Sequence, residues 1–91
     1  MIAYERTTLA NGLTVAVNRD RASKLAAVNI LYKVGARNEN PARTGFAHLF
    51  EHLMFRGTRE VPNFDLPVQM ACGDNNAFTN NDYTDFYITL P

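Results

Sequence analysis

At 91 residues the chain is one domain at most, and its 46% apolar content is that of a globular rather than a disordered chain. Nine basic and nine acidic side chains cancel, and no Lys/Arg cluster stands out, so nothing argues for a nucleic-acid partner. No apolar run is long enough to span a membrane, and a lone Cys72 excludes an internal disulfide.

Met1-Ile2-Ala3-Tyr4-Glu5-Arg6 lacks the charged-then-apolar pattern of a secretion signal. A cytoplasmic protein fits this, and so does a periplasmic or secreted one whose signal has been removed. Residues 4–9 read as a first strand. Asn11-Gly12 then supplies a dipeptide that tolerates positive φ at both central positions of a tight hairpin. Leu13, Val15 and Val17 alternate with Thr14, Ala16 and Asn18 as a half-buried second strand, and 18–24 is a polar turn.

Ala26, Val28, Ile30, Tyr32 and Val34 form one face of a longer strand, whose other face is mixed. Gly35 to Arg43 is a polar loop. Phe46, Leu49, Phe50, Leu53 and Met54 then fall on one stripe of a helix, a face expected to be buried. Thr44 is placed to cap that helix, and Gly57 to end it in the left-handed region. A shorter helix is expected from about Phe64 to Cys72, capped by Asn63, with Pro67 costing it at most its earliest backbone bond. Cys72 is expected to serve as a small buried hydrophobe rather than as a ligand or reactive thiol.

Gly73-Asp74-Asn75 reads as a turn, followed by strands at 76–79 and 83–90. The fold class expected is α+β: an antiparallel or mixed sheet, built from the opening hairpin, the long third strand and the closing strand pair, covered by two helices. The strand ending near Leu90 is expected to leave an open edge, through which copies could associate.

His48, Glu51 and His52 cluster on nearly the opposite side of the first helix from the apolar stripe. Two His one turn apart, leaning the same way, can reach a single metal ion. His-x-x-Glu-His inverts the commoner His-Glu-x-x-His order and places a carboxylate beside that ion as a base. The same three side chains would also suit a solvated helix face, but the chain's only two His both sit here.

Residues 45–58, Gly45-Phe46-Ala47-His48-Leu49-Phe50-Glu51-His52-Leu53-Met54-Phe55-Arg56-Gly57-Thr58, closely resemble the active-site helix of the insulinase, pitrilysin and mitochondrial processing peptidase family of zinc proteases. Leu9 to Val15 resembles that family's opening hairpin, Val34 to Glu39 its approach to the helix, and Asn76 to Tyr87 its following strand pair. The resemblance implies a zinc-dependent metalloendopeptidase, with His48 and His52 as ligands to one zinc ion and Glu51 as general base. It implies that Asn76, Ala77 and Phe78 lie on an edge strand that holds an extended peptide or unfolded polypeptide by β-augmentation. Asn76 reads equally well as a turn residue, and Phe78 as core; Asp82 and Thr84 match positions read as structural.

In the family the third ligand is a Glu on a later helix. The one Glu after the motif here is Glu60, which matches no ligand position. Asp82, Asp85 and Cys72 have no preferred spacing either. Residues 1–91 are therefore expected to be the N-terminal portion of a single catalytic domain, cut short near Leu90 and inactive alone. Its expected partners are the rest of the peptidase and a second homologous domain or subunit. The alternative is a short non-catalytic relative that binds a peptide or a subunit.

Overall fold

The computed structural model describes residues 1–91 and contains five strands and two α-helices. β1 (Glu5–Thr8) and β2 (Thr14–Val17) pair antiparallel as a separate two-stranded sheet. Their connection is looser than the two-residue turn expected. Leu9 N–H donates to Leu13 O at 2.8 Å, which leaves three residues in the loop, and Gly12 alone takes a positive φ, 87°. Asn11 contributes its side chain instead, Oδ1 accepting from Leu13 N–H at 3.0 Å. A three-residue loop with one left-handed glycine removes the need for positive φ at both positions.

β3 (Ala26–Tyr32), β4 (Asp74–Thr79) and β5 (Thr84–Leu90) form an antiparallel sheet in the order β3-β5-β4. The final strand is thus the middle of the sheet, and the free edges belong to β3 and β4. β3 stops two residues early because Val34 N–H turns back onto Tyr32 O at 2.8 Å. The turn expected at Gly73-Asp74-Asn75 is the start of β4, where Asp74 pairs with Thr89 and Asn75 with Ile88. Cross-strand pairing overrides the turn preference of Asp and Asn. The reversal falls one step earlier, at Cys72, whose φ of 57° places it in the left-handed region. Cys72 is accordingly exposed on a turn rather than buried.

α1 (Phe46–Met54) leans on the sheet face carrying Val28, Ile30, Tyr32, Ala77, Phe86 and Ile88. α2 (Asp65–Met70) is shorter than expected at both ends, and Asn63 Oδ1 accepts from Asp65 N–H and Leu66 N–H at 3.1 Å each. Phe55 joins these layers, its ring centroid 5.7 Å from that of Phe64 and 6.2 Å from that of Phe86.

The loop before α1, which carries a 3₁₀ turn at Ala36–Asn38, is clamped to the turn between β4 and β5. Ala36 N–H donates to Asn80 O at 3.0 Å and Arg37 N–H to Asn81 O at 2.9 Å. A Cβ on Gly35 would lie 2.3 Å from Asn80 O, so only glycine permits this approach. The Arg37–Asp82 ion pair at 3.0 Å spans the same junction but is exposed on both sides, and contributes little.

Burial is sparse. Four of 91 residues are buried and none is a large apolar side chain: Gly35, Glu51, Thr84 and Asp85. The accessible surface is 8006 Å², against about 5,300 Å² expected for a folded 10.2 kDa monomer. The radius of gyration, 15.5 Å, likewise exceeds the roughly 12 Å of a compact domain this long. The apolar stripe of α1 is not buried as the periodicity predicted: Leu49 is 49% exposed and Phe50 61%. Phe50 and Met54 only rim a groove against Tyr32 and Phe86, and the one buried residue of α1 is Glu51.

Candidate metal centre

The helix that carries the His pair starts differently from the expectation. Gly45, with φ 89°, is the N-cap, and no side-chain cap comes from Thr44. The carboxylate of Glu39 reaches over from the preceding loop instead. Its Oε2 accepts from Gly45 N–H and its Oε1 from Ala47 N–H, both at 2.6 Å. A bidentate anion at a helix N-terminus meets two orphan donors and the positive end of the helix dipole, which a hydroxyl cannot match. Replacing Glu39 by Ala is expected to lower stability by about 1–3 kcal/mol, read from denaturant midpoints, with Gln intermediate because it keeps one acceptor. At the other end α1 stops at Met54 with Phe55 as its C-cap, two residues short of the end expected before Gly57; Arg56 N–H closes onto Leu53 O at 3.0 Å, and Gly57 is left-handed with φ 89°, as expected.

Held between these ends, His48 and His52 stand one turn apart with their Nε2 atoms 2.8 Å from each other. One ligand atom from each of His48, Glu51 and His52 fits within a mutual span of 4.8 Å. Both imidazoles are exposed, while Glu51 is only 8% exposed. Thr79, the last residue of β4, donates from Oγ1 to Glu51 Oε2 at 2.5 Å. Two imidazoles and a carboxylate are donors that zinc takes readily. Tetrahedral zinc at about 2.0–2.1 Å per bond spaces two nitrogens roughly 3.3 Å apart, a small ring rotation from the present contact. The residues fit the ion.

His48 and Glu51 open into a cleft of about 550 Å³ between the loop before α1, the first turns of α1 and the end of β4. Ala77 and Phe78 line that cleft beside His48 and Glu51. Asn76 does not. It lines the neighbouring groove, and its Oδ1 accepts from the Ala77 N–H at 2.8 Å. Its place in β4, opposite Tyr87, also removes the turn alternative. Glu60, Cys72, Asp82 and Asp85 stand outside the His48–Glu51–His52 group. Asp85 instead accepts from Asn29 Nδ2 at 2.9 Å, and the Thr84 hydroxyl donates to Val34 O at 2.9 Å. Glu39 and Thr79 were not singled out from the sequence. Each acts on α1 through a neighbour in space, and only their polar character within the flanking segments hinted at a role.

A His-x-x-Glu-His helix beside a free strand edge is the arrangement of a zinc peptidase. Sequence comparison matches residues 14–91 to the family described as Insulinase (Peptidase family M16), and the chain belongs to that family. The zinc protease PqqE of Helicobacter pylori is 40% identical over 88 residues, covering 93% of this chain and 20% of the relative. The mitochondrial-processing peptidase subunit beta of Blastocladiella emersonii is 35% identical over 86 residues, covering 92% of this chain and 18% of the relative. The crystal structure of a protease from Helicobacter pylori superposes with a TM-score of 0.90 at 37% identity, over 98% of this chain and 22% of that one. The chain thus spans about one fifth of the length of these relatives.

Proposed function

We propose that residues 1–91 are the N-terminal portion of the catalytic domain of a zinc metalloendopeptidase. The observation that carries this is the His48–His52 pair, with Glu51 buried and tethered beside it, at a cleft walled by the edge strand β4. His48 and His52 would hold the zinc ion through Nε2, and a third protein ligand would come from outside these residues. Zinc, when bound, supplies Lewis-acid polarisation of the scissile carbonyl and of the attacking water. Glu51 would serve as the general base, accepting a proton from the attacking water and passing it to the leaving amine.

An extended substrate would lie along the free edge of β4 and displace the Asn76 side chain from the Ala77 N–H, so that the backbone polar groups there pair with the peptide. Phe78, 43% exposed and on the cleft wall, would meet a substrate side chain. The accessible surface beyond that of a compact monomer, together with the one-fifth coverage of relatives, supports a larger protein in which the rest of the peptidase covers α1 and the sheet. A second homologous domain or subunit would complete the chamber, as the word "subunit" in the name of one relative suggests.

The test is hydrolysis of an unstructured peptide by the full-length protein, before and after chelation. Cleavage lost on chelation and regained with zinc is the expected result. Cleavage indifferent to chelation would sink the proposal, as would none at any zinc loading.

A further inference from the structure

The oxygens of Glu51 are not equivalent. Oε2 accepts a hydrogen bond from the Thr79 hydroxyl, and Oε1 does not. Thr79 has a single hydroxyl proton to give, and it is committed to this carboxylate. Thr79 also stands where β4 is best anchored. It pairs with Thr84 on β5, Asn80 N–H donates to Tyr83 O at 3.0 Å in the adjoining turn, and the carbonyls of Asn80 and Asn81 hold the loop that leads into α1. The end of β4 is therefore fixed to α1 from two directions, through that loop and through the Thr79–Glu51 bond.

We infer that Thr79 is a positioning residue for Glu51: by occupying Oε2 it locks the carboxylate in one orientation and leaves Oε1 as the proton acceptor. This rests on the reading of Glu51 as general base. A glutamate carboxylate is placed by two staggered torsions and turned by a third, broad one, and only some settings aim an oxygen at a water beside the His pair. The hydroxyl selects one of them. Because Thr79 belongs to the strand on which the substrate would lie, the same bond registers the base against the peptide. Thr79 keeps its proton throughout.

The experiment compares Thr79→Val, Thr79→Ser and Glu51→Gln in the full-length zinc-loaded protein, by steady-state kinetics, zinc titration and crystal structures. Val matches the shape of Thr without the donor. Thr79→Val is expected to lower kcat about tenfold or more, with KM and zinc affinity within about twofold of the parent. Its crystal structure should show the Glu51 carboxylate rotated or in more than one position. Thr79→Ser should restore both kcat and the single orientation. Should the Val variant not fold, Thr79→Ala removes the same donor and carries the same expectation. The inference is overturned if the donor-less variant keeps parental kcat, if its Glu51 stays in the parental position, or if Ser is as impaired as Val. Should Glu51→Gln be inactive with zinc retained while Thr79→Val is unimpaired, this inference alone fails. An active Glu51→Gln removes the base itself, and both fall together.

Discussion

Glu51→Gln in the full-length protein is expected to cut kcat for peptide hydrolysis by about 10²–10⁴-fold, the usual range for removing a positioned general base. Zinc should stay bound at parental stoichiometry, because His48 and His52 are untouched. The substitution is nearly isosteric, and the amide carbonyl can still accept the Thr79 hydroxyl that now reaches Oε2. Glu51 is only 8% exposed, so exchanging a buried charge for a neutral amide should not unfold α1. Kinetics and metal analysis on the same sample make the check. A variant that cleaves within tenfold of the parent would show that another group takes the proton.

The second large effect is on metal rather than chemistry. His48→Ala is expected to weaken zinc binding by more than about 100-fold, since losing even an outer hydrogen-bond partner of a ligand typically costs 10–100-fold. The imidazole is exposed and its one polar contact within the chain is with His52, so the apo protein should keep its stability to within about 0.5 kcal/mol. Competition against a coloured chelator measures the first quantity and denaturant unfolding the second. The stabilisation that zinc gives the parent by mass action should vanish in the variant. His52→Ala should behave alike, because the two rings share one geometry. Undiminished zinc affinity in either variant would exclude that imidazole as a ligand.

What could be read in advance was local. The His-x-x-Glu-His spacing needs only helical periodicity, and Gly57 and Asn63 act within a few residues of themselves. Failures began wherever a distant partner decides. Thr44 is a good helix cap by type, but Glu39 lies in a loop folded so that both carboxylate oxygens reach the same amides. The Glu51–Thr79 bond joins residues 28 apart and exists only in one docking of sheet against helix. Asp74 and Asn75 carry turn chemistry, yet β5 offers them partners. The stripe of α1 was legible as a stripe. Periodicity shows which residues share a face and not how that face docks, and here the side toward the sheet joins Phe50 and Met54 of the stripe with Ala47 and Glu51.

The central place of β5 carries a consequence for the order in which the molecule is made. Both β3 and β4 pair with β5 and not with each other, so no part of that sheet can zip until the last of the three strands has emerged. Joining β3 to β5 closes a long loop: Asn29 and Asp85, hydrogen-bonded across the pair, are 56 residues apart. Closure of that length costs on the order of 3–4 kcal/mol of chain entropy before any pairing offsets it. α1 needs nothing so remote. During synthesis the two imidazoles can therefore come together on a nascent helix well before the sheet brings Thr79 to Glu51. The Glu51–Thr79 bond, by contrast, waits on the docking of β4, and β4 in turn waits on β5.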